Sequence, residues 1–270
     1  MKHIVSWSGG KDSTATIILA HELGLPIDLI VMSLLWFDKE RGIYAEHPKH
    51  IDWVFNYAKP LFESWGYKVE FIHSDKDYLH YFYKVRRKSK HPEYVGKYYG
   101  WLLGGMCKMQ GEKERPIKHY LKALGKPGVD YEEYVGICHE EVDRLETLSS
   151  KRGKRSILDE NGYTQKDSRQ KCIEYRLLSP TYSIAKRGGC WFCPNQSIKE
   201  LADIKTNHPE YWNELVLLNT EVHKGTTIQR GFSYGKSFDE ISAQVDTYIA
   251  SPHYTQITIE DLLRTGGDAV

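Results

Sequence analysis

The N-terminal part of the chain switches between short continuous apolar runs and longer stretches in which apolar residues recur every three or four positions. Residues 3–7 are a run of the first kind and predict a buried strand. From Asp12 onward, Ala15, Ile17, Ile18, Leu19 and Leu23 fall at helical spacing. Gly24 and Pro26 then close that helix. Residues 28–35 predict a second strand. Residues 48–65 predict a helix with Ile51, Val54, Phe55, Ala58, Leu61 and Phe62 on one side. Gly66 ends it, and residues 68–72 predict a third strand. A helix near 116–124 and a fourth strand at 134–138 continue the alternation. Strands alternating with helices specify a parallel sheet with crossover helices.

After Arg144 the strand pattern stops. Residues 151–155 read as a basic loop, and helices follow at 164–175, 197–206 and 208–218. The expected fold class is α/β, a doubly wound parallel sheet with a smaller, mostly helical C-terminal subdomain. The expected division is an α/β domain over 1–150 and a helical subdomain over 151–270. Residues 84–113, rich in Tyr, Gly and Lys, have weak periodicity and predict no element.

Composition narrows the function classes. The 270 residues are 40% hydrophobic and 27% charged, with a net charge of +1, so no global field draws the chain to nucleic acid or to a membrane. No apolar run approaches the roughly 18 residues of a membrane span, and the start turns polar too soon for a signal peptide. Five cysteines, two of them as Cys190-x-x-Cys193, read as metal ligands or redox thiols rather than a disulfide framework. The expected location is the cytoplasm.

The sharpest chemical signal is Ser8-Gly9-Gly10-Lys11-Asp12-Ser13-Thr14, set between the first strand and the first helix. Glycines let the backbone bend tightly and approach an anion closely. The first amides of the helix have no partners within it and point forward. The hydroxyls of Ser8, Ser13 and Thr14 add donors and Lys11 adds a charge, a set suited to a pyrophosphate. The spacing fits neither the Walker A pattern nor the dinucleotide fingerprint.

The loop resembles the Ser-Gly-Gly-x-Asp-Ser signature of the PP-loop ATP pyrophosphatases. Four further segments resemble one branch of that superfamily, the phosphoadenosine phosphosulfate reductase-like proteins. They are Trp36-Phe37-Asp38, the stretch from Cys107 to Pro116-Ile117, the stretch from Val135-Gly136-Ile137-Cys138 to Arg144, and Gly189-Cys190-Trp191-Phe192-Cys193-Pro194. The resemblance implies a site for ATP or a related adenine nucleotide. It also departs from the reductases. They place a nucleophilic cysteine near the C-terminus, as attack on the sulfonate sulfur requires, and this chain has no cysteine after Cys193. Its loop is complete, where theirs are degenerate. Both points favour ATP-dependent adenylation, which in relatives leads to sulfur insertion or amide formation.

That chemistry requires Mg²⁺ held by one or two carboxylates. Asp12 is the first candidate and Asp38 the second, although Asp12 equally suits a helix N-terminus for its charge. Arg144 and Arg187 are candidates to neutralise phosphates or substrate. Cys190 and Cys193 can hold two sides of a metal, and the resemblance adds Cys107. Cys172 can supply a fourth ligand for a 4Fe–4S cluster or for Zn²⁺; ordinary buried thiols are the remaining alternative. Cys138 lies nearer the nucleotide.

The stretch that opens at Lys84 and closes at Lys97 reads KVRRKSKHPEYVGK and is flanked by tyrosines. It suits either a nucleic-acid strand or a solvated loop. His47 reads as a loop histidine that could face the site, His73 as structural and His208 as part of a helix start. Three functions are therefore expected in competition: an adenylating PP-loop enzyme for sulfur transfer, a sulfonucleotide reductase with an atypical nucleophile such as Cys138, and a non-catalytic nucleotide-binding subunit.

Overall fold

Strand β1 (Lys2–Trp7) lies at the centre of a five-stranded sheet. The computed structural model describes residues 1–103, 107–251 and Tyr254. On one side of β1 lie β2 (Leu29–Leu34) and, after the short β3 (Trp36–Asp38) and β4 (Ile43–Tyr44), β5 (Val69–His73). On the other lie β6 (Tyr131–Tyr134) and β7 (Lys154–Arg155). Every pairing in this sheet is parallel, while β3 and β4 form a separate antiparallel pair. Numbered by position in the chain, the five strands of the sheet lie in the order 3-2-1-4-5. The direction of winding therefore reverses between β1 and β6.

Side chains alternate across the sheet, as strand geometry requires. Val5, Trp7, Ile30, Met32 and Leu34 face α1 (Lys11–Glu22), α2 (Pro48–Trp53) and α3 (Lys59–Ser64). Ile4, Leu29 and Val31 face Leu121 of the opposite layer, α5 (Met109–Leu124), with α4 (Tyr78–Phe82) lying between β5 and α5 in the chain. Helix α1 is buried from Ser13 to Ala20 because α8 (Gln165–Glu174) packs on its outer side. Each large side chain sealed in these layers, such as Trp7 or Phe62, contributes on the order of 1.5–3 kcal/mol.

The helix expected over 48–65 is present but carries one π turn, Val54–Ala58, between α2 and α3. Pro60 follows that turn. It has no N–H to return to the carbonyl four residues back, and the wider turn, closed by Lys59 N–H on the Val54 carbonyl, absorbs the mismatch.

Three expectations need correction. The helix expected near 116–124 begins at Met109, inside the stretch expected to form no element, and carries Pro116 within it. The fourth strand is 131–134, not 134–138. Its sequence Tyr-Glu-Glu-Tyr hides it, because Glu133 is buried, accepting from the Ser6 hydroxyl at 2.6 Å and ion-paired with Lys154. Residues 135–137 form a tight turn in which Ile137 N–H donates to the Val135 carbonyl. The basic segment at 151–155 is not all loop. Lys154 and Arg155 form β7, paired with Glu133 and Tyr134, and their charges meet Glu133, Glu132 and Glu160. The sheet thus continues past residue 150. So does its helical cover: α6 (Val142–Ser149) is followed by α7 (Ile157–Glu160) and α8, both packed on α1.

A second core holds Phe37, Trp101, Trp191, Leu201, Trp212, Leu215, Phe232 and Phe238. It lies among α9 (Ile198–Asn207), α10 (Pro209–His223) and α11 (Phe238–Ile249). No helix among the described residues is long and apolar enough to cross a membrane.

Candidate nucleotide site

The glycine loop leaves the carboxyl end of β1 and enters α1 at Lys11. Gly9 takes φ +70°, the left-handed region where a Cβ is penalised. A Cβ there would also overlap the imidazole of His50. The loop is closed by its own hydroxyls. Ser13 Oγ accepts from the Ser8 amide at 3.1 Å and lies 3.0 Å from Ser8 Oγ, and Ser8 Oγ accepts from the Gly10 amide at 3.3 Å. Thr14 is turned inward: it is buried, and its hydroxyl accepts from the Trp7 indole at 3.0 Å. Ser8 is the exposed hydroxyl of the set expected to donate outward.

Residues far along the chain complete the site. Gly136 follows β6 and presses on the start of α1. A Cβ there would lie 2.5 Å from the Ser13 nitrogen, so only glycine admits this approach. Tyr182 OH accepts the Lys11 amide at 2.9 Å, and the charge of Arg169 acts on that tyrosine. His50 is sealed against the loop with Nδ1 2.8 Å from Ser179 Oγ. Burial, with Lys113 and His47 adding, holds its pKa down at about 3, while the Ser8 backbone acts the other way. The ring at Gly9 is therefore neutral at ordinary pH.

Lys11 and Asp12 form the charged centre. Lys11 Nζ lies 2.7 and 2.9 Å from the two Asp12 oxygens and 3.2 Å from Gln165 Oε1. Asp12, Cys138 and Glu141 bring one ligand atom each to within 4.8 Å of one another. Two carboxylates at that spacing suit a hard cation. The thiol does not: burial pushes Cys138 up to about 12, Ser168 opposing and Asp12 adding, and its Sγ lies 3.4 Å from Asp12 Oδ1.

The other candidates disperse. Asp38 is tied by Arg41, 2.5 Å away, which also grips Glu214, and it is not a member of the Asp12 group. Arg144 pairs with Glu141 and so borders the Asp12 group. Arg187 acts on Cys193 instead. Cys172 lies under the glycine loop, its thiol 3.2 Å from the Lys11 carbonyl. Cys107 and Cys190 pack on the second core, and both act on Cys193 or are acted on by it. Three thiols thus share one neighbourhood and Cys172 does not join them. Neither of the two close ligand groups among the described residues contains any of the three. Met106, the neighbour of Cys107, lies outside the described residues. The four-cysteine set does not fit a 4Fe–4S cluster or a Cys₄ zinc site.

His50, Gly136, Glu141, Arg169 and Tyr182 were not legible as site residues. Gly136 and Glu141 stand inside a quoted segment, so their proximity to the loop could have been suspected. His50, Arg169 and Tyr182 sit in ordinary helical context and carry no sequence signal. Compared with protein-family models and with curated proteins, the chain matches none.

Proposed function

We propose that this chain binds ATP or a related adenine nucleotide at the glycine loop and activates a substrate by adenylation, in the manner of PP-loop ATP pyrophosphatases, with sulfur transfer as the outcome. The observation that carries this reading is the place of the loop. It joins β1 to α1 at the carboxyl end of a parallel sheet, beside β6, where the winding reverses. Open α/β sheets bind ligands in the crevice at that point, and a helix N-terminus there favours phosphate.

The residues suit the roles. A substrate nucleophile attacks the α-phosphorus, the bond to the bridging oxygen breaks, and pyrophosphate leaves with its electron pair. Lys11 and the amides at the start of α1 receive that charge. Lys11 must share its hold on Asp12 to do so. Asp12 and Glu141 would hold Mg²⁺, and that ion would neutralise charge on the leaving group. Arg169, exposed on α8 beside Tyr182, is better placed than Arg187 to meet a phosphate. The reductase reading is weaker, because Cys138 stays protonated at neutral pH and its sulfur is buried.

A nucleic-acid acceptor is supported by one specific feature. The basic stretch folds back on itself, Arg86 N–H donating to the Lys97 carbonyl. Arg86 lies over the Tyr99 ring at 5.5 Å, and His80, Tyr83, Lys84, Arg87, Lys88 and Tyr99 line one depression.

Incubation with ATP, Mg²⁺ and candidate acceptors should yield AMP and pyrophosphate. Calorimetry should show ATP binding that weakens by roughly 10- to 100-fold in Lys11→Ala, as loss of a charge-assisted contact implies. Wild-type protein that binds no adenine nucleotide would end the proposal. For the acceptor, RNA binding should fall steeply with salt and should drop when Arg86, Arg87 and Lys88 become Ala.

A further inference from the structure

We propose that His47, Asp203 and His208 form a site for one divalent transition-metal ion of the zinc class. This site is separate from the Asp12 group and does not rest on the nucleotide reading. One ligand atom from each residue lies within 4.8 Å of the other two. In each residue the atom without a hydrogen-bond partner is a buried one: His47 Nε2, Asp203 Oδ2 and His208 Nε2. His47 and Asp203 are each only 4% exposed. Buried polar atoms are rarely left unmatched, because each costs about 1–3 kcal/mol. Here three of them belong to one set of residues whose ligand atoms converge.

The 3.3 Å gap between His47 Nε2 and Asp203 Oδ2 is an ion-pair distance without hydrogen-bond alignment, and it leaves His208 unserved. A metal ion satisfies all three at once. Two imidazoles and a carboxylate suit zinc-class ions rather than Mg²⁺ or Ca²⁺. The outer contacts fit as well. Lys49 Nζ at 2.6 Å and Asn207 Nδ2 at 2.8 Å hold the other oxygen of Asp203, orienting Oδ2 as second-shell partners orient a ligand. Lys49 also draws off part of the carboxylate charge and so limits the affinity. Coordination through Nε2 places the ring proton of His47 on Nδ1. The long 3.3 Å contact that Nδ1 accepts from the Lys49 amide is given up on binding.

The ligands come from two segments that the Lys49–Asp203 ion pair already draws together. His47 caps α2, Asp203 belongs to α9, and His208 joins α9 to α10. An ion there ties the sheet layer to the helical half. One turn beyond His47, the same helix presents His50 to Gly9, so the tie also steadies the wall of the glycine loop.

The test uses full-length protein stripped with chelator and titrated with Co²⁺. The expected result is one Co²⁺ per chain, with visible ligand-field bands, no sulfur-to-cobalt charge transfer in the near ultraviolet, and displacement by Zn²⁺. A Cys190→Ser, Cys193→Ser double variant should give the same spectrum. His208→Gln and Asp203→Asn, checked for native secondary structure by circular dichroism, should each weaken binding by at least about tenfold, since even second-shell partners are worth that much. Wild-type protein that takes up no Co²⁺ overturns the proposal. So does a thiolate spectrum that disappears in the cysteine double variant. These two wild-type and cysteine-variant readouts decide the matter even where a ligand variant fails to fold.

Discussion

Gly9 shows how much one residue can carry. Its positive φ and its contact with the His50 ring leave no room for a side chain. Gly9→Ala should lose about 1–3 kcal/mol of stability in denaturant unfolding and should lose ATP binding beyond that measured cost. His50 makes a prediction about pH. Its folded pKa of about 3 lies below the ordinary histidine value near 6.5. Above the unfolded value both states are neutral and nothing is lost. As pH falls below it the unfolded chain takes a proton that the folded chain refuses, so stability declines until the folded pKa is reached. His50 alone should cost about 2 kcal/mol between pH 7 and pH 5. His50→Gln, compared with wild type by urea unfolding at both pH values, should flatten the decline by that amount. The groups that face His50 are Lys113, His47, Ser8 and Ser179, and the first two lower its pKa and so enlarge the effect. At this scale the sequence was informative about Gly9, Lys11 and Asp12, whose chemistry is local. It was silent about His50 and Tyr182, whose significance exists only once distant segments meet.

At the scale of elements, periodicity located most strands and helices, because a face buried on one side imposes its period on the residues. It failed where burial was bought with paired charges. Strand β6 reads as polar, yet Glu133 is buried in the sheet, and β7 reads as a basic loop although its cations are matched by that neighbouring strand. Capped helix ends carry local marks, although neither α11 nor the first two turns of α5 was expected from the sequence. Helices α8, α9 and α11 each open with a capping box, at Thr164, Ser197 and Ser237. Ser197 matters most, because α9 carries Asp203. Ser197→Ala should cost about 1 kcal/mol, seen as a lower midpoint in urea unfolding, with an unchanged m value because the same surface is exposed.

The described residues form two large cores and a smaller cluster on the α5 face of the sheet, and the candidate nucleotide site belongs to the first while drawing on its far end. Tyr182 reaches back to the amide of Lys11 across 171 positions of sequence, and Ser179 to His50 across 129. Tyr182→Phe strands a backbone donor, which costs about 1–3 kcal/mol. A phosphate oxygen can replace the lost hydroxyl. The variant should therefore be less stable than wild type alone and gain more from saturating ATP, a pair of thermal shifts that distinguishes a lining residue from a merely structural one. No reading of the chain in order could have joined these segments, because the α/β unit does not end where its clearest pattern ends.

That reach has a consequence for biosynthesis. Ribosomes deliver chains from the N-terminus, so β1, the glycine loop and α1 emerge first, and the hydroxyl that holds the loop's leading amide emerges only with Tyr182. A nascent chain stalled between these two points holds the bend without its keeper, and the Lys11 amide stays open until Tyr182 arrives.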